Sequence, residues 1–172
     1  MGLLRMAAQY SQKETGFDAV DLKKAYRMIV PPALVATRGE KYYDLTPYGW
    51  IMPLDYEPVT RVIFSSDPDH QAVANIRRTG DFAVCIPTDI KAQYIQQCGT
   101  ISSPDHNKYE IFKIPAERAS VVDELVPKTL VSGWIEFRLI KMVEVGAVVL
   151  VMGEAVAAPR EWILHESADK VR

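Results

Sequence analysis

Residues 75–87 read Asn75-Ile76-Arg77-Arg78-Thr79-Gly80-Asp81-Phe82-Ala83-Val84-Cys85-Ile86-Pro87. Ala72 to Thr79 is expected to be a short helix, because Gly80 stands where a helix needs a left-handed closing residue. Strand-forming residues then run unbroken from Phe82 to Ile86. Pro87 ends that run, since proline has no N–H to give to a ladder. A short helix handing straight to a core strand is the mark of a β protein with small helices inserted between its strands.

The flanking sequence repeats the theme. Thr60 to Phe64 is a second core strand, and Ser65-Ser66-Asp67-Pro68-Asp69 after it is turn chemistry. Ala33 to Thr37 is an earlier strand. Arg38-Gly39-Glu40-Lys41 reads as a turn and Tyr42-Tyr43 restarts an extended segment, so a hairpin is expected. Leu45-Thr46-Pro47-Tyr48-Gly49-Trp50-Ile51-Met52-Pro53 matches neither a clean strand nor a clean helix, and a loop this apolar is expected to be buried against something. Residues 18–30 carry Ala19, Leu22, Ala25, Tyr26 and Ile29 at helical spacing, and Pro31-Pro32 stops that helix. Downstream, Thr88 to Gln97 is expected to be helical with Thr88 as cap and Gly99 as stop, and 100–118 to be irregular. Leu130 to Val145 and Ala147 to Ala157 form the longest runs, with a hairpin turn within Val143–Ala147. Residues 1–16 read as a flexible arm and 17–172 as one domain, a mostly β antiparallel barrel or sandwich rather than alternating βαβ units.

Composition narrows the function classes. The chain has 172 residues, 48% of them hydrophobic, which excludes a disordered chain. Its 20 basic and 22 acidic side chains leave a charge of −2, without the electrostatic footprint of a nucleic-acid or anionic-membrane binder. No apolar run approaches the ~20 residues of a membrane span. Two cysteines, Cys85 and Cys98, cannot make a disulfide framework, so a cytoplasmic setting is expected.

The chain has no GxSxG, HExxH, CxxC, Walker loop or GxGxxG. His70 and His106 each follow Pro-Asp and could join Cys98 at a metal, but turn residues of this kind need no metal to explain them. Cys85 falls in a core strand. The informative stretches are 44–52 and 65–76. The first offers backbone N–H groups, hydroxyls and aromatic surface. The second offers Ser65, Ser66 and His70 and then a helix N-terminus, where free N–H groups and the helix dipole favour an anion. A flat aromatic ligand with a phosphate tail suits both. The alternative is that Tyr48 and Trp50 seal a barrel end while Ser65 and Ser66 shape a turn.

Several blocks in succession resemble the flavin reductase-like family, which includes flavoredoxin. They are Ala33-Leu34-Val35-Ala36-Thr37-Arg38, Asp44-Leu45-Thr46-Pro47-Tyr48-Gly49-Trp50, Tyr56-Glu57-Pro58-Val59, the 75–87 block, Cys98-Gly99, Asn107-Lys108-Tyr109-Glu110 and Leu150-Val151-Met152-Gly153-Glu154-Ala155-Val156. The resemblance covers roughly 28–158. It implies an FMN-binding split barrel: a six-stranded antiparallel Greek-key barrel with short flanking helices, forming a homodimer with FMN at its interface. By position, Thr37 and Arg38 would face the phosphate or ribityl chain. Thr46, Tyr48, Gly49, Trp50 and Ile51 would line the isoalloxazine. Ser65, Ser66 and His70 would hold the phosphate, Asn75 would cap or brace the helix, and Lys108 would sit near the cofactor. Two departures stand out. Ala72 occupies a place where relatives often have threonine, and Gly146 is followed by Ala147, Val148 and Val149 where reductases of the family commonly have a histidine, its approximate place being taken by Val148.

The resemblance implies one of two activities. One is an FMN-dependent oxidoreductase passing electrons from NAD(P)H to a small-molecule or protein acceptor. The other is a non-enzymatic FMN electron carrier. Flavin carries the redox chemistry in either case, so no catalytic acid or base is nominated.

Overall fold

The computed structural model describes residues 32–89, 93–102 and 104–158. The arm and the helix expected over 18–30 lie outside these. Nine strands and three helices succeed one another in the described residues: β1 Ala33–Arg38, β2 Tyr43–Tyr48, β3 Ile51–Asp55, β4 Arg61–Ser66, α1 Gln71–Thr79, β5 Asp81–Pro87, α2 Gln93–Thr100, α3 Lys108–Ile111, β6 Ala116–Arg118, β7 Leu125–Pro127, β8 Val131–Val145 and β9 Val148–Ala157. Seven of the strands make one antiparallel sheet in the order β2-β1-β5-β8-β9-β4-β3, and β6 pairs only with β7.

That order contains a geometric demand. β2 and β3 are the two outermost strands of the sheet, yet only Gly49 and Trp50 separate them in sequence. Six inter-strand spacings of about 4.8 Å would put them nearly 30 Å apart in a flat sheet. The short connection reaches only about 10 Å. The sheet therefore rolls up until its edges meet at this corner. No ladder joins β2 to β3 among the described residues, so the roll stays split.

The stretch read as an apolar loop is thus two strands and a tight corner. Tyr43–Tyr48 pairs along its whole length with β1, from Arg38↔Tyr43 to Ala33↔Tyr48, and Ile51–Asp55 pairs with β4. Prolines are tolerated because both strands lie at sheet edges. This gives the main sheet seven strands where six were expected. The 100–118 stretch likewise contains α3 and β6. Gly99 lies inside α2 instead of stopping it, and a Cβ there would sit 3.1 Å from Pro47 Cγ, so it permits close approach of α2 to β2.

The roll encloses an aromatic column. Tyr48 and Phe64 lie 4.8 Å apart, Phe64 and Phe82 5.7 Å, and Phe82 stacks on Phe137 at 5.3 Å. Such pairs add to the area term of burial. Gly153 is required opposite this column, because a Cβ there would run into the Phe82 ring. Val62, Val84, Val149 and Val151 fill the rest, with Ala72, Val73 and Ile76 of α1 closing one end. Gly80 ends α1 at φ 76°, as expected from sequence. A second core outside the roll packs Leu34, Ala36, Leu45, Ala83 and Cys85 against Tyr94, Ile95 and Cys98 of α2, Tyr109 of α3 and Val126 of β7.

Two carboxylates shape that outer layer differently. Glu136 accepts from Ser120 N–H and Oγ, Val121 N–H and Val122 N–H at 2.6–3.0 Å, which pins the 120–122 turn to β8. Burial opposes its ionisation, but those donors hold its carboxyl below the usual range. Glu124 is 1% exposed and neither carboxyl oxygen has a partner within hydrogen-bond geometry among the described residues. Burial pushes its carboxyl up to about 9 against weaker pulls from Arg38 and Arg78. The folded protein therefore keeps a proton that the unfolded chain loses above about pH 4.3. Stability falls as pH rises from there to about 9. Glu124→Gln, neutral at every pH, is expected to raise Tm at pH 8 by at least the 2–4 °C that about 1 kcal/mol is worth in a chain of this size, and to leave Tm at pH 4 unchanged. Thermal unfolding at the two pH values checks it; an equal shift at both would mean that charge is not the cause.

Candidate functional site

Where α1, α2 and α3 converge on β2, a small surface cavity of about 40 Å³ opens. Thr46 lines it from β2, His70 and Gln71 from the start of α1, Cys98 and Gly99 from α2, and Lys108 from α3, with Ile101 and Ser102 at its rim.

Lys108 is its most unusual member. It is 2% exposed, the kind of burial an ammonium tolerates only when paired. Its Nζ lies 2.8 Å from Asp44 Oδ1 and donates to Leu45 O at 3.0 Å. Thr46 donates to the other Asp44 oxygen at 2.8 Å. Asp44 and Thr46, two apart on a strand, share a face, so β2 presents carboxylate and hydroxyl together to the lysine. Among the described residues the ammonium uses two of its three donors.

Helix α1 supplies the next element. His70 occupies the N-cap with extended backbone and no side-chain cap hydrogen bond, and no acidic residue sits in the first turn. No acidic side chain of the helix itself offsets the positive end of its dipole there. His70 turns Nδ1 toward Ser66 Oγ at 3.3 Å, and Ser66 Oγ meets Tyr48 OH at 2.8 Å. Burial pushes the Tyr48 phenol up to about 12, so it remains protonated. On the other side of the turn, Gln71 donates to Asn75 Oδ1 at 2.8 Å and Asn75 donates to Thr37 Oγ1 at 3.0 Å. Asn75 therefore braces α1 against β1.

The residues singled out from sequence divide into groups. Thr46, His70 and Lys108 line the cavity, and Ser66 and Tyr48 back it through His70. Thr37 is fully buried behind Asn75. Gly49, Trp50 and Ile51 form the corner between the edge strands. Trp50 is half exposed, its carbonyl accepting from Ser65 N–H at 3.1 Å. Ser65 and Ser66 are neighbours on β4 and so face opposite sides; Ser66 is buried and Ser65 is turned away from it. Arg38 pairs with Asp123 and lies over the Tyr43 ring. Asp44 and Gln71 were not singled out. Asp44 could have been found from its spacing to Thr46, but its pairing to a lysine 64 residues on could not.

A second cavity, about 400 Å³ and almost wholly apolar, opens among Ile51 and Met52 of β3, Val62 of β4, Val84 and Ile86 of β5 and Phe137 of β8. Of the residues singled out, only Ile51 lines it. No group of three or more His, Cys, Asp and Glu side chains suited to a metal occurs among the described residues. Burial pushes the Cys98 thiol up to about 11 and the Cys85 thiol higher still, so neither is a thiolate at neutral pH.

Lys108→Met leaves the 7%-exposed Asp44 with Thr46 alone. Breaking a buried pair from one side is expected to cost about 3–5 kcal/mol, measured by urea unfolding. Thr46→Val, which removes one half-buried hydroxyl, should cost about 1 kcal/mol. Equal losses would mean the ion pair is no more important than the hydroxyl beside it.

Comparison with known proteins bears on the family and the fold. Over 128 residues the chain is 25% identical to the Uncharacterized protein YddH of Escherichia coli (strain K12), covering 72% of this chain and 67% of that one. The fold superposes on the flavoredoxin of Methanosarcina acetivorans with a TM-score of 0.70 at 17% identity, covering 85% of this chain and 77% of that one. It superposes on an FMN-binding protein from Thermus thermophilus, solved with bound 1-cyclohex-2-enone, with a TM-score of 0.72 at 18% identity, covering 88% and 83%. The split roll is the fold these proteins share. The pattern of the flavin reductase like domain runs through residues 25–168 of the sequence, and the chain belongs to that family.

Proposed function

We propose that the protein binds FMN, with the phosphate at the cavity where His70, Lys108 and the start of α1 meet, and uses it to move electrons. The observation that carries this reading is the donor set there: a buried ammonium with a donor to spare, an uncapped helix N-terminus and an imidazole, all on one small opening. These groups fit a phosphate, which is dianionic near neutral pH. The half-exposed Trp50 at the β2–β3 corner offers an aromatic face for the ring system. When bound, flavin supplies hydride and single-electron chemistry. The chain's own part is to hold it: Lys108 offers charge, Thr46 and Gln71 line the opening, and the Asn75–Thr37 brace keeps α1 in place.

As an enzyme the protein would take electrons from NAD(P)H and deliver them to a small-molecule or protein acceptor. The alternative, an electron carrier without its own nicotinamide step, is favoured by one residue. Val148 stands about where reductase relatives place a histidine; it alternates with the buried Val149 on β9 and so faces away from the core. Purified protein is expected to be yellow and to show flavin absorption. Anaerobic stopped-flow mixing with NADH and with NADPH separates the readings: bleaching of the flavin band on the turnover timescale is the enzyme, and its absence with intact flavin is the carrier. Colourless protein that takes up no added FMN overturns both.

A homodimer is part of the proposal. Met52 and Leu54 on the edge strand β3 and Tyr56 just beyond it are 59%, 47% and 77% exposed. Large apolar side chains left exposed along a sheet edge are an interface or a liability. A cytoplasmic setting goes with it, since both cysteines are free and buried thiols. No helix among the described residues is long and apolar enough to cross a membrane. Light scattering should return twice the chain mass, and Met52→Glu with Tyr56→Glu should return the chain mass at unchanged Tm. A monomeric parent would overturn the dimer.

A further inference from the structure

The chain Tyr48–Ser66–His70 has more order in it than a phosphate contact requires. Tyr48 is 5% exposed, and its hydroxyl meets Ser66 Oγ at 2.8 Å. A buried phenol proton needs an acceptor, so Tyr48 donates and Ser66 accepts. The single Ser66 proton has two neighbours: Asp67 O at 3.1 Å and His70 Nδ1 at 3.3 Å. A carbonyl oxygen can only accept, and it is the nearer. With that proton on Asp67 O, the second lone pair of Ser66 faces Nδ1, which must then carry hydrogen. Nε2 is the nitrogen left for the cavity that His70 lines.

We infer that Tyr48 and Ser66 are positioning residues that hold His70 in its Nδ1–H form, so that phosphate binding is accompanied by uptake of a proton from solvent at Nε2. This rests on the flavin reading above and adds its proton linkage. In the neutral ring, Nε2 bears a lone pair and repels an anion. Protonation turns it into a donor while Nδ1–H···Ser66 stays as it was, so the imidazolium forms without rearrangement of its support. Only an N–H bond is made, and the proton comes from the medium. Other ionisable groups around the ring are Tyr48 from β2, its ring 6.3 Å away, Cys98 from α2 and Lys108 from α3 in the same lining, Asp44 paired to Lys108, and Asp67 and Asp69 in the turn before His70. Asp44 already offsets the Lys108 charge at 2.8 Å. Ser66 then serves the phosphate through His70, not by direct contact.

Calorimetric titration of the full-length protein with FMN and with riboflavin, each in two buffers of different ionisation enthalpy, reads the proton count. FMN binding should take up more proton than riboflavin binding, and His70→Gln should abolish the difference. His70→Gln should also weaken FMN by about ten- to a hundredfold while riboflavin changes little, as loss of one charge-assisted hydrogen bond predicts. Tyr48→Phe should reduce both the proton difference and the FMN-to-riboflavin affinity ratio, though it leaves the cavity lining intact. Nitrogen-15 imidazole shifts of the flavin-free protein give a readout independent of binding: the Nδ1–H pattern is expected in the parent and a mixture in Tyr48→Phe. A parent in the Nε2–H form, or equal proton uptake in parent and His70→Gln with FMN still bound, overturns the inference and leaves the flavin reading standing. A parent that binds neither flavin overturns both.

Discussion

A connection of two residues governs this molecule. Gly49 and Trp50 join the strands that begin and end the sheet, and seven antiparallel strands cannot satisfy so short a link while flat. Rolling is the only solution, and it dictates both the core and the openings. The face that turns inward needs a filling, and Tyr48, Phe64, Phe82 and Phe137 provide it as a column of rings with Gly153 cut away to admit them. Among the described residues the roll does not close by hydrogen bonds and β3 has no partner on its outer edge, and an apolar cavity opens beside β3 and β4.

The same corner sets up the site. Tyr48, last residue of β2, ends inside the roll, where its hydroxyl reaches Ser66 at the end of β4. Asp44, earlier on β2, receives Lys108 from α3 while Thr46 donates to its other oxygen. One edge strand thus contacts both polar systems around the cavity. Each system satisfies its buried members locally, which is what allows charge to sit so deep beside an apolar core. Glu124 is the exception, a buried carboxyl without such a partner among the described residues, and burial keeps it protonated.

Much of the fold was legible in the residues. The hairpin at 38–43, the strand at 82–86, the Gly80 helix stop and the long final hairpin all arise from local chemistry: glycine where φ is positive, proline where a ladder ends, unbroken strand formers where both faces are covered. The 45–53 stretch was misleading because its prolines and glycine count against a strand in isolation. They are acceptable at sheet edges, and edge position is a property of the whole sheet. Gly99 was misread for a related reason: the contact that explains it is with Pro47, far away in sequence.

By itself the sequence determined the class of the protein, the order of its main strands and helices, and the ordered blocks that mark a flavin reductase-like domain. It also singled out His70, because an imidazole before a helix start is recognisable locally, Thr46 within a stretch offering hydroxyls, and Lys108 through the family resemblance alone. Tertiary structure decided which of those residues meet. Ser65 and Ser66 look equivalent as letters but lie on opposite faces of β4, a consequence of strand alternation once the strand is known to run through Ser66. Thr37 looked available and is buried behind Asn75. Asp44 drew no notice and neutralises the most deeply buried cation near the site. Such pairings depend on distances between residues tens of positions apart, and only the rolled sheet sets those distances.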